Sequence, residues 1–302
     1  MDRFDAIEAF VAVADCHGFA PAARKLGLST SAVTRHIAAL EERLGVRLLN
    51  RTTRAVSLTD PGLRFLERSR RILADLEEAE EMAESEQGEP MGRIVVSAPQ
   101  VFGRLHVGPL VCEFMSRYPK VTAELLLSDR MINLVEDGID VAVRIGHLTD
   151  SSDIARKVGA VRRVLVASPS YLARARIPTS PEELSQHRLI SFSALTASDH
   201  WRFWRSGERV DVAVRPNYVT NSADAAIWHA AQHGGLTMAL SYQVAEHLRD
   251  GRLALVMIDH EPLPYPVQFV YPSSRLLSRK VRALLEQAVT TRDWNFLTLP
   301  HT

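Results

Sequence analysis

Residues 28–45 read LSTSAVTRHIAALEERLG. Val33, Ile37, Leu40 and Leu44 recur at spacings of four, three and four, the signature of one buried face of an α-helix. Ser29, Thr30, Ser31, Thr34 and Arg35 crowd the front of that helix and fall largely on its other face. Ser29 or Thr30 supplies an N-cap hydroxyl. A helix that buries one stripe and offers hydroxyl and guanidinium groups at its N-terminal end suits the major groove of DNA, where that end of a recognition helix meets the base edges. Arginine bonds guanine bidentately, and serine or threonine reaches base or phosphate.

The flanking sequence supports this reading. Upstream, Phe4, Ile7, Phe10, Val11 and Ala14 mark an opening helix that ends near Gly18. FAPAARKLG (19–27) is a second, short helix, with Ala22, Ala23 and Leu26 inward and Gly27 as its stop. A short middle helix followed by a tight turn at Leu28-Ser29 is the helix-turn-helix arrangement. Downstream, VRLL and AVSLT flank Asn50–Arg54, which predicts a small hairpin with a basic tip, a wing. Arg51 and Arg54 there suit phosphate or the neighbouring minor groove. The candidate DNA-contacting residues are therefore Thr30, Ser31, Thr34, Arg35, Arg51 and Arg54.

Formal net charge over the 302 residues is zero, but the charge is unevenly placed. Residues 24–54 carry seven basic side chains against two acidic ones, and residues 60–89 carry ten acidic against four basic. Such asymmetry marks a basic binding surface beside an acidic segment. Asp60-Pro61-Gly62 opens a long helix reaching about Gly88. Phe65, Ser69, Ile72, Leu76, Ala79 and Ala83 alternate spacings of four and three along it, a coiled-coil seam that predicts a dimer.

From Met91 onward, short β-branched runs alternate with helical ones. RIVVSA (93–98), VTAELLLS (121–128) and DVAVRIG (140–146) read as strands, with a helix over Leu105, Leu110 and Phe114 and a short helix at MINLVEDG. A second unit begins at RRVLVASP (162–169) and continues through LISF, a hairpin in WRFWRSGERVDVAVRP, YVTN, a helix from Ala223 to His233, LTMAL, YQVAEHL and LALVM. VQFVYP (267–272) and a helix over Val281–Trp294 close the chain. The alternation predicts largely parallel sheets. Ligands bind such folds beyond the carboxyl ends of the strands. Those ends carry Ser97, Ser128, Arg144, Ser168 and the pair Asn221-Ser222, the last preceding a helix whose N-terminal amides suit an anion. With Arg144 as counter-charge, Ser97, Ser128, Arg144, Asn221 and Ser222 describe a pocket for a small polar effector, a carboxylate.

Catalytic constellations are absent from the sequence. There is no GxSxG elbow, phosphate loop, GxGxxG or HExxH run. His229 and His233 lie four apart, but a pair without a third ligand does not make a metal site. Cys16 and Cys112 are the two cysteines, too few and too far apart for a disulfide framework; Cys112 follows Leu110-Val111 and reads as a buried thiol. The N-terminus lacks signal-peptide character, and no run approaches a membrane span. The expectation is a cytoplasmic, cofactor-free, metal-free protein without enzymatic activity.

The pattern FxxxxAFVAVADxxGFxxAAxxLGLSxSAVTRxIxxLEExLGVxLLxRTTRxVxLTxxG over Phe4–Gly62 resembles the winged helix-turn-helix of LysR-type transcriptional regulators. The resemblance extends over the chain and implies an α/β multidomain protein. It would comprise a winged helix-turn-helix at 1–60, a dimerising linker helix and hinge at 61–90, and a two-subdomain effector domain at 91–302 similar to type 2 periplasmic binding proteins. Subdomain I would span 91–161 and 267–302, and subdomain II 162–266. In several members, the positions of Ser97 and Arg144 line the effector cleft. Many members have a GxGI-type run after the second-subdomain helix; here the stretch is HGGLTMALSYQV. The resemblance also implies an inverted-repeat operator, a homodimer assembling to a homotetramer, and contact with RNA polymerase that the effector alters, for activation or repression.

Overall fold

The computed structural model describes residues 2–51, 56–83, 89–130, 132–147, 153–195, 200–273 and 277–299. The chain divides into two compact units, 1–88 and 89–302.

In the first unit, α1 (Arg3–Asp15) starts at Asp2, whose carboxylate accepts from the Phe4 N–H at 3.2 Å. Its Ile7, Phe10 and Val13 are buried, whereas Phe4 is 39% exposed because it precedes the first turn that meets the other helices. Helix α2 (Phe19–Leu26) ends on Gly27 at φ +66°, and the Leu28 N–H returns to the Ala23 carbonyl at 2.9 Å. This left-handed cap requires glycine and sets the turn into α3 (Thr30–Leu44). Ser29 caps α3, its Oγ accepting from the Ala32 N–H at 3.2 Å. Val33, Ile37 and Leu40 lie at or below 1% exposure, as their spacing predicts. Leu44 departs from the expected stripe: it is 38% exposed, in the last turn before Gly45.

Strands β1 (Leu49–Arg51) and β2 (Val56–Leu58) pair antiparallel as the base of the wing. Glu41 ties α3 to this base by accepting from the Leu48 and Leu49 N–H groups at 2.7 and 3.1 Å. Helix α4 (Asp60–Ala83) begins where the chain presses against β1: a Cβ at Gly62 would sit 2.0 Å from the Leu48 carbonyl oxygen. Leu66 is buried in the helical core and the Phe65 ring lies tilted against Phe10, centroids 5.5 Å apart. Of the expected seam, Ser69 is buried and Ile72 is 43% exposed. The wing tip with Arg54, the side chains of Arg51, Ala79 and Ala83, and the hinge residue Gly88 lie outside the described residues.

The second unit contains two sheets. The six-stranded one has the order β15-β6-β14-β5-β3-β4, with β3 Gly92–Ala98, β4 Val121–Leu127, β5 Val141–Ile145, β6 Asp153–Val161, β14 Tyr265–Pro272 and β15 Trp294–Phe296. The five-stranded one has the order β11-β8-β12-β7-β13, with β7 Arg163–Ala167, β8 Leu189–Phe192, β11 Tyr218–Thr220, β12 Leu236–Leu240 and β13 Ala254–Val256. A hairpin, β9 (His200–Arg205) and β10 (Glu208–Ala213), stands beside the second sheet. Its Trp201 and Phe203 join the core of that sheet with Leu165, Leu189 and Met238.

Both sheets are mixed, not largely parallel. β14 runs antiparallel between β5 and β6, and β7 runs antiparallel beside β12 and β13. These are the strands adjoining the two passages of the chain between sheets, where its direction reverses. Strand β6 was not expected from the sequence; its partners β14 and β15 lie more than a hundred residues downstream. Residues 132–138 form a turn, not a short helix. Asn133 Oδ1 accepts from the Val135 and Glu136 N–H groups, Asp137 accepts from the Asn133 N–H, and Gly138 closes the turn at φ +65°. Side-chain acceptors that replace helical carbonyls end a helix after one turn. The last helix, α10 (Arg279–Thr291), stops before Trp294, which belongs to β15.

Candidate functional site

Each unit presents one candidate. In the first, Thr30, Ser31 and Arg35 are exposed along α3, opposite Val33, Ile37 and Leu40. Ser31 Oγ lies 3.0 Å from Ser29 Oγ, and the Thr34 hydroxyl donates to the Thr30 carbonyl at 2.8 Å. Thr34 is half-buried and its proton is committed to its own helix, so it retains only acceptor capacity. Ser31 and Arg35 therefore form the outward-facing polar pair of the helix. Arg51 and Arg54 cannot be placed beside them, because their side chains lie outside the described residues.

In the second unit, a cavity of about 170 Å³ opens where the ends of β3, β4 and β5 face the ends of β8 and β12. Strand ends converge there because β3 pairs parallel with both β4 and β5. Ser97, Ser128 and Arg144 all line the cavity. Ser97 is buried; Ser128 Oγ accepts from the Arg130 N–H at 3.1 Å; Arg144 is half-buried and donates to the Ile132 carbonyl at 2.7 Å. Ile132, Leu134, Ile145, Phe192, Leu195 and Leu240 provide apolar wall.

Asn221 and Ser222 do not line it. Ser222 caps α8 (Ala223–Ala231) with its own hydroxyl, accepting from the Ala225 N–H at 3.3 Å, and Asp224 puts a carboxylate in the first turn. That end of the helix is thus already capped, and the Asp224 carboxylate pairs with Arg104 at 3.8 Å. Ser168 is likewise occupied, capping α7 (Pro169–Ala175) while lying 2.7 Å from His233 Nδ1.

Sequence reasoning missed Asp129, Tyr242 and Gln243, which also line the cavity. Asp129 Oδ1 accepts from the Gln100 N–H at 3.1 Å. Burial, and the like charge of Asp224, push its pKa above the usual carboxylate value against that hydrogen bond. The Tyr242 hydroxyl accepts from Gln243 Nε2 at 3.3 Å, and burial drives its pKa well above the ordinary phenol value. Its ring meets Phe102 at 5.0 Å and His106 at 5.7 Å, both edge-on. Burial, with Arg292 nearby, lowers the His106 pKa to about 4, so the ring is neutral at physiological pH. The available signals were the Ser128-Asp129-Arg130 triplet ending an apolar strand and, for Tyr242 and Gln243, the unusual run HGGLTMALSYQV that contains them.

His229 and His233 form no metal cluster, and none of three or more ligating side chains occurs among the described residues. Cys112 is exposed rather than buried: on α6 (Gly108–Arg117) the inward residues are Leu110, Val111 and Phe114, and Cys112 faces away. No helix among the described residues is long and apolar enough to cross a membrane.

Comparison with known proteins matches both units. Residues 4–63 match the bacterial regulatory helix-turn-helix protein model of the lysR family, and residues 87–292 match the LysR substrate binding domain. A helix-turn-helix-type transcriptional repressor of Pseudomonas aeruginosa is 37% identical over 94% of this chain and 90% of its own length. The transcriptional regulator PtxR of the same species is 35% identical over 92% of this chain and 89% of its own. Among solved structures, the full-length virulence activator AphB of Vibrio cholerae aligns with a TM-score of 0.61 at 30% identity, covering 95% of this chain and 99% of that one. CrgA of Neisseria meningitidis aligns with a TM-score of 0.60 at 30% identity, covering 96% and 98%.

Proposed function

This chain belongs to the LysR family of bacterial transcriptional regulators, and from that premise we propose that it is a regulator switched by a small effector held in the cavity of its second unit. The regulators of this family bind DNA through the helix-turn-helix, carry an effector-binding domain and are oligomeric. The finer reading is ours. Helix α3 enters the major groove of an inverted-repeat operator, with Ser31 and Arg35 reading base edges and Thr30 and Thr34 beside them. Arg51 and Arg54 hold the adjacent backbone from the wing. The acidic helix α4 pairs two chains through the Ile72 seam, the effector units join dimers into a tetramer, and the assembly works beside RNA polymerase in the cytoplasm. The effector carries a carboxylate that meets Arg144, with Ser97 and Ser128 as hydroxyl partners. Its binding biases the arrangement of the dimers and so the bend of the operator. No reaction is catalysed and no cofactor is used.

The observation that carries this reading is the polarity of α3: Ser31 and Arg35 exposed on one side, Val33 and Ile37 wholly buried on the other. A footprint on the DNA upstream of the protein's own gene, at two salt concentrations, tests it. The expected result is a protected inverted repeat that survives competitor DNA. Sequence-blind binding that vanishes with salt would overturn the base-reading role of α3.

A further inference from the structure

The lining of the cavity carries one carboxylate, Asp129, and two guanidinium groups, Arg130 and Arg144. Arg144 enters from β5, where its Nη2 donates to the Ile132 carbonyl. Asp129 enters from the loop after β4 with one oxygen bonded to the Gln100 N–H. One hydrogen bond satisfies only part of what a carboxylate accepts. No lysine or arginine forms an ion pair with Asp129 among the described residues, and the nearby charge that acts on it, Asp224, is of the same sign. A half-buried carboxylate in that position is costly until a cation reaches it. An effector that was only a carboxylic acid would use Arg144 and leave Asp129 uncompensated.

Size narrows the occupant further. About 170 Å³ is close to the ~150 Å³ of an apolar cavity that takes up one benzene ring. Ile132, Phe192 and Leu240 are among the apolar residues that line the cavity.

We propose that the effector is a zwitterion of the amino-acid class, with its ammonium group on Asp129, its carboxylate on Arg144 and a branched or aromatic hydrocarbon body against the apolar wall. This rests on the reading of the cavity as the effector site. The two charges fix the orientation of the ligand, and the cavity volume limits its side chain to the size of leucine, methionine or phenylalanine.

Calorimetry and thermal shift on the full-length protein test this with matched compounds. L-leucine, L-methionine and L-phenylalanine are compared with 4-methylpentanoate and 3-phenylpropanoate, which lack the ammonium group, and with 3-methylbutylamine and 2-phenylethylamine, which lack the carboxylate. At least one amino acid is expected to bind about tenfold or more tightly than its deaminated and decarboxylated counterparts. Asp129→Asn keeps an acceptor for the Gln100 N–H and should remove the preference over the deaminated acid; Arg144→Gln should weaken amino acid and acid alike. The melting temperature without ligand controls for folding, and Asp129→Ser serves should the first variant melt early. If the deaminated acids bind as well as the amino acids, and Arg144→Gln abolishes that binding, the zwitterion is overturned while the cavity stands as the effector site. A preference unchanged in Asp129→Asn also overturns it. Failure of every compound at millimolar concentration overturns both the zwitterion and the charge and size read from the cavity.

Discussion

Helix α3 presents its polar side chains from fifteen consecutive residues, whereas the cavity of the second unit draws its walls from segments as far apart as Ser97 and Gln243. In the helix, burial of Val33, Ile37 and Leu40 by itself turns Ser31 and Arg35 outward, because the positions are linked by the helical repeat. In the cavity nothing local links Arg144 to Asp129. They share the cavity because β4 and β5 flank β3 on either side. The first kind of site is as robust as one helix and its core; the second depends on the register of a whole sheet.

Phe10→Ala probes this difference most severely. Phe10 is fully buried in the helical core, and its truncation should cost about 3–5 kcal/mol. Operator binding should be lost while the second unit retains its melting transition and its ligand affinity. Loss of both in calorimetry would show that the units do not stand apart. Next in size, Arg35→Ala should weaken operator binding by about 1–3 kcal/mol and leave binding to random DNA nearly unchanged. Equal losses on both DNAs in a gel-shift titration would remove Arg35 from base reading.

The pH dependence of the second unit offers a probe of intermediate size. The neutral His106 ring is held below its unfolded pKa of 6.5, at about 4. The unfolded chain therefore takes up the proton first, so this contribution to stability is complete above pH 6.5 and is lost as pH falls towards 4. The loss should be on the order of 1–2 kcal/mol once partial exposure is allowed for. His106→Phe should flatten that part of the melting profile; an unchanged profile would mean another group titrates.

Capping gives the smallest effects. Ser29→Ala should cost about 1 kcal/mol by leaving the Ala32 N–H without its hydroxyl partner. Leu44→Ala should cost less than about 0.5 kcal/mol, since Leu44 lies outside the core. Urea unfolding of the two variants side by side measures both.

Legibility in the sequence follows the same division. The three helices and the stop at Gly27 were readable because each is set by residues within one or two turns. Leu44 was misplaced because periodicity shows which face a residue is on, not where the surrounding body ends. In the second unit, most strands were readable as apolar runs. Strand β6 was not, because its residues Ile154–Lys157 are exposed and its pairing is supplied by β14 and β15. Trp294 continued an apolar repeat and was read as helix, yet its ring is needed in the core against Phe269 and Phe102. Ser97, Ser128 and Arg144 share the cavity because they end neighbouring strands of one sheet, whereas Asn221 and Ser222 follow β11, the edge strand of the other sheet, and turn into the cap of α8.

The position of β14 sets an order of events during synthesis. The five-stranded sheet is complete once Val256 has been made, since β7, β8, β11, β12 and β13 all lie between Arg163 and Val256. The six-stranded sheet is started earlier and finished later: β3, β4 and β5 can pair as they emerge, but β6 has no neighbour until β14 arrives. On the ribosome, the inserted half can therefore close before the half that surrounds it. In the interval, β6 and the open flank of β5 are unpaired strand edges. A truncation after β13 would keep every strand of the five-stranded sheet and leave the six-stranded one permanently open.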